Sequence, residues 1–303
     1  MKRREFFNKS FKAGVLTTTS LLFGKIPNLL AFPPDKYDLV AIKGGEPDVM
    51  FDKAIGSLGG MKTFVQKGNT VVVKPNIGWD VVPERAANTN PLLVNRIIKH
   101  CLDAGAKDVY VFDHTCDRWN SCYSNSGIER SVKDAGGKIV PGNSEKYYQQ
   151  VSISKGKRLK ESKIHELILE CDVFINVPVL KSHNSTDLTI SMKNLMGIVW
   201  DRGYWHRNDL NQCIADFPSF RKPDLNIVDA YSVMMKNGPR GVSKSDVVNM
   251  KSQIISTDIV AADAAAAKLF GRDPQDIEYI KYASDMKIGE IDLSKLNINR
   301  IIL

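Results

Sequence analysis

Short runs rich in β-branched residues alternate with longer amphipathic segments along most of this chain. Residues 70–77 include three consecutive valines, Val71 to Val73, which is typical of a strand buried on both faces of a sheet. Residues 91–104 follow with apolar residues at helical spacing, begin with a proline and end before Gly105. Because repeated strand–helix alternation builds parallel sheets, the sequence predicts an α/β fold: a mostly parallel sheet with helices on both faces.

The same reading extends along the chain. Strands are predicted at residues 37–42, 70–77, 107–113, 138–140, 173–179, 225–230, 251–256 and 298–303, and helices at 91–104, 128–135, 164–171, 189–199, 211–220, 258–270 and 274–283. Asp258 is placed to cap the alanine-rich helix that follows it. No internal repeat, low-complexity tract or linker interrupts the pattern, so residues 35–303 are predicted to form a single α/β domain.

The N-terminal residues 1–31 have the parts of an export signal in the correct order. A basic head containing Arg3 and Arg4 precedes a weakly apolar stretch from Ala13 to Phe23, and Ala31 supplies a small residue near a cleavage point. The paired arginines indicate a twin-arginine signal, and the apolar stretch is too short and too polar to anchor the chain stably in a bilayer. We expect folded export by the twin-arginine translocase to a periplasmic or other extracytoplasmic location. The alternative is a basic amphipathic tail on a cytosolic protein.

Charge and cysteine content exclude several classes of function. Of the net charge of +8, residues 1–31 carry +5, from six basic residues and one acidic residue, which leaves +3 for the remainder. No basic run with interleaved aromatics occurs, so nucleic-acid binding is not predicted. The five cysteines form no C-x-x-C pair, and the sequence therefore has no iron–sulfur cluster motif. Cys116 and Cys122 flank a predicted loop and could pair in an oxidising periplasm.

Four of the predicted strands end in polar residues. These are Lys74 and Asn76, Asp113 and His114, Lys181 and His183, and Asp229. The carboxyl ends of parallel strands meet at one edge of a sheet, which is where α/β proteins bind ligands. We therefore expect these side chains to converge on one pocket.

The residue types in this group favour an anionic ligand. Lys74 lies between an apolar run and a proline, so it is expected to be buried and either to pair with Asp113 or Asp229 or to face an anion. Lys193 and Asn194 lie in a predicted helix and would bind phosphate or carboxylate, unless both are simply solvated.

The sequence thus predicts a pocket for a small anionic molecule. The predicted catalytic residues are Lys74, Asp113, Lys181 and His183; the predicted substrate-binding residues are Asn76, Lys193, Asn194 and Gly238; and His114, His183 and Asp229 are the candidate ligands of a divalent metal. No local histidine spacing supports the metal. A metal- or cofactor-dependent enzyme and a binding or accessory protein without catalysis both fit this pocket. A structural partner protein would instead expose an apolar patch around Trp200, Tyr204 and Trp205.

The motifs that hold these residues also resemble a known family. They are Val73-Lys74-Pro75-Asn76, Asn90-Pro91, Asn176 to His183, Thr189 to Gly197, Ile227-Val228-Asp229, Gly238-Pro239 and Asp258 to Asp263. In combination they resemble domain of unknown function 362 over about residues 70–271. The resemblance implies no particular reaction. Some members carry ferredoxin-like cysteine clusters beside this domain, and this chain has none, so electron transfer is not implied.

Overall fold

The computed structural model describes residues 36–303, so the predicted export signal lies outside the described residues. The strands are β1 (Leu39–Lys43), β2 (Thr70–Pro75), β3 (Asp108–Val111), β4 (Lys138–Ile139), β5 (Tyr148–Ser152), β6 (Glu161–His165), β7 (Val173–Val177), β8 (Val179–His183), β9 (Asp187–Thr189), β10 (Leu225–Met234), β11 (Val247–Ser256) and β12 (Ile298–Ile302). The α-helices are α1 (Pro47–Ser57), α2 (Pro91–Asp103), α3 (Trp119–Asn125), α4 (Ile128–Asp134), α5 (Glu166–Glu170), α6 (Ser191–Asn194), α7 (Arg202–Arg207), α8 (Leu210–Asp216), α9 (Ile259–Phe270) and α10 (Glu278–Asp285).

The main sheet has the strand order β12-β1-β11-β10-β7-β2-β3-β4. Every pairing from β10 through β7, β2 and β3 to β4 is parallel. Strand β11 is antiparallel to both of its neighbours, and β8 and β9 extend the sheet beside the end of β10. Helices pack on both faces, as the two apolar cores show. The α/β prediction is confirmed, and the carboxyl ends of β2, β3, β7 and β10 lie at one edge.

The central strands are mostly apolar because each face of the sheet has its own core. Val72 packs on the side of α9, whereas Val71 and Val73 pack on the side of α2 and α4. Alternate side chains of a strand point to opposite faces, so a strand between two cores has few positions where a polar side chain reaches solvent. The predicted cap of the alanine-rich helix is also confirmed: Asp258 Oδ1 accepts from Val260 N at 2.8 Å and from Ala261 N at 3.1 Å.

Two predicted helices are wrong in part. Residues 164–171 divide between the end of β6 and the short α5, because β6 pairs with β5 in a separate two-stranded sheet. Residues 189–199 are not one helix: the end of β9 leads into α6 and then into a 3₁₀ turn at Leu195–Ile198. Every residue from 189 to 199 is buried. A segment that is covered on all sides has no polar face, so its periodicity does not identify its structure.

Among residues 36–303, no helix combines the length and apolar character that are needed to cross a bilayer.

Candidate functional site

A buried ion pair joins the ends of two neighbouring strands. Lys74, in β2, is only 1% exposed, and its Nζ lies 3.0 Å from Oδ1 of Asp113, which follows β3. The same ammonium donates to the backbone oxygen of Asn194 at 2.7 Å and to its Oδ1 at 2.8 Å. Burial lowers the pKa of Lys74, and the charge of Asp113 opposes that effect. The ion-pair alternative for Lys74 is therefore realised.

A glycine is packed directly against this ion pair. A Cβ at Gly197 would lie 1.8 Å from Asp113 Oδ1 and 2.5 Å from Lys74 Nζ. Asp113 is also fixed from the other side, since its Oδ2 accepts from Ile77 N at 2.6 Å. The glycine that closes the Lys193-to-Gly197 motif is therefore required by close approach, and any side chain at this position would displace the pair.

Buried amides orient the residues behind the pair. Asn194 Nδ2 donates to Asn176 Oδ1 at 2.8 Å, and Asn76 Nδ2 donates to Asn194 Oδ1 at 3.0 Å. Asn176 in turn donates to Ser191 O at 3.0 Å and to Asn226 Oδ1 at 3.1 Å. Asn176 was not among the predicted site residues. The sequence feature that could have identified it is a single amide in the otherwise apolar strand β7, since a buried amide without hydrogen-bond partners would be costly.

Lys181 in β8 is a second buried lysine, 1% exposed. Its Nζ donates to Asn76 Oδ1 at 3.2 Å and to the backbone oxygen of Ala87, and both acceptors are uncharged. Burial is the main cause that lowers the pKa of Lys181 to about 7, and the neighbouring Lys74 and Lys193 lower it further. The amine can therefore take up and release a proton near neutral pH.

Lys193 in α6 is a third lysine with little compensation. It is 7% exposed, and its Nζ contacts Met196 Sδ at 3.3 Å, a weak acceptor. Burial lowers the pKa of Lys193 to about 8. Within the described chain, neither Lys181 nor Lys193 forms an ion pair with a carboxylate. The alternative that Lys193 and Asn194 are solvated is wrong, because Asn194 is only 2% exposed.

Two histidines complete the polar surface. His183 Nδ1 accepts from Ser185 N at 3.1 Å, so its Nε2 carries the proton of the neutral ring. Burial, together with Lys193 and Lys181, lowers the pKa of His183 to about 3, which keeps the ring neutral. His114 Nδ1 lies 2.9 Å from the carbonyl oxygen of Val199, and the ring stacks on Trp200 with centroids 4.8 Å apart.

These groups line one cavity of about 630 Å³. Eight predicted site residues contribute to it: Lys74, Asn76, Asp113, His114, Lys181, His183, Lys193 and Asn194. Residues that the sequence analysis did not select also line it, among them Cys116, Thr189, Arg202 and His206. Asp113 is the one carboxylate among the lining residues, and Lys74 already pairs with it. The cavity is therefore cationic.

Thr189 and Arg202 add two further donors to the cavity. The Oγ1 atom of Thr189 is buried and forms no hydrogen bond with the part of the chain that is described, although the residue is only 3% exposed. Arg202 donates to the backbone oxygens of His114 and Thr115, both at 2.8 Å, so its position is fixed while its charge stays uncompensated by these neutral acceptors. Sequence reasoning missed both, because Thr189 is the first residue of the helix predicted at residues 189–199 and Arg202 follows no predicted strand.

Gly238 and Asp229 do not line the cavity, contrary to prediction. The amide of Gly238 donates to Ser182 Oγ at 3.0 Å, so it is not free to bind an anion. Asp229 accepts from Asn90 N at 2.7 Å and from Tyr231 N at 3.1 Å, and burial raises its pKa to about 6. The polar groups of both residues are therefore taken up by partners within the chain.

The donor set does not fit the predicted divalent metal. No group of three or more His, Cys, Asp or Glu side chains within residues 36–303 is arranged to hold a metal ion. His114 and His183 line the cavity, but Asp229 does not join them, and the charges of Lys181 and Lys193 beside His183 would repel a cation.

Cys116 and Cys122 are both free thiols, the first exposed and the second buried.

The apolar patch that a structural partner protein would need is also not formed. Trp205 is fully buried, and Trp200 is half-buried and stacks on His114. Tyr204 is 38% exposed, but a single exposed aromatic residue is ordinary for a protein surface.

The chain is similar to a solved structure, to a second protein and to a family model. The solved structure of the lactate racemase apoprotein from Thermoanaerobacterium thermosaccharolyticum aligns with a TM-score of 0.44 and 12% identity, over 76% of this chain and 57% of that chain. This chain thus spans little more than half the length of that protein. Thylakoid-associated protein sll1697 of Synechocystis is 26% identical over 228 residues, which cover 73% of this chain and 68% of the relative. The family model described as domain of unknown function (DUF362) matches residues 71–268, and the chain belongs to this family.

Proposed function

We propose that this protein binds a small carboxylate- or phosphate-bearing molecule in the cationic cavity and acts on it as an enzyme. One observation carries the proposal: Lys193 presents a buried amino group without a carboxylate partner to the cavity, and the carboxylate that lines the cavity is already paired with Lys74. Burying an ammonium ion without a counter-charge costs several kcal/mol, of the order of the penalty for an isolated buried ion. An anionic ligand would supply that counter-charge, and the same interaction would stabilise the bound ligand.

The lining residues divide naturally into roles. Lys193, Arg202 and Thr189 would hold the anionic group, because each presents a donor with weak or neutral partners. Asn76 and Asn194 would orient the rest of the molecule. His183 would donate a hydrogen bond from its Nε2 to the bound molecule, because its ring stays neutral, and the Lys74–Asp113 pair would exchange protons with it.

A binding protein without turnover is the second candidate for the same cavity. The lowered pKa values favour the enzyme. A binding protein needs only permanent positive charge, whereas the pKa of Lys181 at about 7 makes this amine able to take up and release a proton at neutral pH. Such values are typical of acid–base groups in active sites.

Calorimetric titration tests the binding proposal. Small carboxylates and inorganic phosphate are titrated into the wild type, into Lys193→Met and into the control Lys281→Met, whose lysine is exposed and paired with Asp285. We expect Lys193→Met to weaken binding about tenfold or more and the control to leave it unchanged. Equal affinity in all three proteins, or no binding to the wild type, contradicts the proposal. Product analysis with the bound molecule then separates the enzyme from the binding protein.

We also propose that residues 35–303 form one domain that reaches an extracytoplasmic location through the signal in residues 1–31. The Synechocystis relative is named for its association with thylakoids, which is compatible with a location outside the cytoplasm. Replacement of Arg3 and Arg4 by lysine should leave the protein in the cytoplasm on cell fractionation, because the paired arginines define the route. Unchanged export of that variant would contradict the signal assignment.

A further inference from the structure

The hydrogen bonds of Lys181 match a neutral amine better than an ammonium ion. Its Nζ has two acceptors among the described residues, Asn76 Oδ1 and the Ala87 carbonyl oxygen. A neutral amine has two N–H bonds and one lone pair, so two acceptors satisfy it completely. An ammonium ion would have a third N–H without a partner at a site that is 1% exposed, and an unpaired buried donor is costly.

The charges around Lys181 act in both directions. Cys116 and Asp113 favour its protonation, although Asp113 already pairs with Lys74. Lys74 and Lys193, which face Lys181 from β2 and α6, disfavour its protonation. A buried amine beside other cations is the arrangement in which a lysine becomes a nucleophile toward carbonyl compounds.

We propose that Lys181 forms an imine with a small oxo acid whose carboxylate is held by Lys193. This inference rests on the proposed anion-binding function and names its substrate class. The Nζ lone pair of Lys181 attacks the carbonyl carbon, and a C–N bond forms as the C=O π bond breaks. The two hydrogens of the amine leave with the carbonyl oxygen as one molecule of water, and a C=N bond remains. No oxidant or reductant is needed.

Borohydride trapping tests the inference on the full chain. The protein is incubated with pyruvate, reduced with sodium borohydride, digested and mapped by mass spectrometry. The expected result is a stable secondary amine on Lys181, at a level about tenfold or more above every other lysine. Acetone, which has the carbonyl group but no carboxylate, should label Lys181 much less.

Two variants test the roles that are assigned to Lys181 and Lys193. Lys181→Arg keeps a long basic side chain but cannot form an imine, so it should lose the adduct while Lys281→Arg keeps it. Lys193→Met should retain an adduct on Lys181 but require about tenfold more pyruvate. Peptide mapping of the wild type identifies the modified lysine even if Lys181→Arg does not fold.

An adduct that forms mainly on another lysine overturns the inference. So does calorimetric binding of pyruvate with no trapped adduct, and in that case the proposed anion-binding function stands. If neither pyruvate nor any other small carboxylate or phosphate binds the wild type, the proposed function fails together with the inference.

Discussion

Replacing Gly197 by alanine should separate the two members of the buried pair. The added Cβ would lie 1.8 Å from Asp113 Oδ1, where ordinary van der Waals contact begins at 3.4 Å. Asp113 would have to move by about 1.6 Å, and Lys74 Cε, at 2.7 Å from the new atom, would have to move as well. The Nζ–Oδ1 distance of 3.0 Å does not survive shifts of that size.

The burial of the Lys74–Asp113 pair sets the size of the loss of stability. Breaking a buried ion pair costs about 3 to 5 kcal/mol, because an uncompensated charge is left inside the protein. We therefore expect the free energy of unfolding of Gly197→Ala to fall by about 3 to 5 kcal/mol in urea titrations followed by tryptophan fluorescence. Anion affinity should fall too, because Gly197 and the three lysines line the same cavity.

Gly56→Ala is the matched control. Gly56 lies within α1, and a Cβ there meets no atom within 4 Å. Alanine is preferred to glycine inside helices by about 1 kcal/mol, so this variant should be as stable as the wild type or slightly more stable. Wild-type stability and wild-type anion affinity in Gly197→Ala would refute the reasoning.

Three further predictions test individual groups. Anion affinity should decrease as pH rises through about 7 and about 8, because the folded protein loses the protons of Lys181 and Lys193 in that window; a calorimetric pH series that is flat between pH 6 and pH 9 (roughly the range that spans both values) contradicts it. Thr189→Val should weaken anion binding about tenfold without lowering thermal stability, since the buried hydroxyl has no described partner to lose; a large loss of stability with unchanged affinity would mean that the hydroxyl is structural. Iodoacetamide should modify Cys116 and not the four buried cysteines, and a bound anion should slow the reaction; equal labelling of several cysteines would contradict the cavity geometry.

The sequence predicts which distant residues converge better than it predicts local structure. Lys74, Asp113 and Lys181 come from three distant segments, and their convergence follows from parallel strands with polar carboxyl ends. That inference needs only strand direction. It does not require the element boundaries, which is why it holds although the helix predicted at residues 189–199 does not form as one element.

The remaining errors share a physical cause. A sequence pattern shows which residues are polar, but it does not show which polar groups already have partners. The amide of Gly238 is taken by Ser182, and the carboxylate of Asp229 by two backbone N–H groups. Thr189 has the opposite outcome, since burial leaves its hydroxyl unpaired beside the cavity. Hydrogen-bond satisfaction depends on tertiary contacts and is not encoded in local spacing.

Native mass spectrometry of the folded protein, before and after addition of small carboxylates and phosphate, tests whether the cavity binds an anion. We expect a bound small acid that is released on denaturation and that is absent from, or much weaker in, Lys193→Met. A wild-type spectrum that shows only the mass of the bare chain at every ligand concentration would contradict the proposed anion binding.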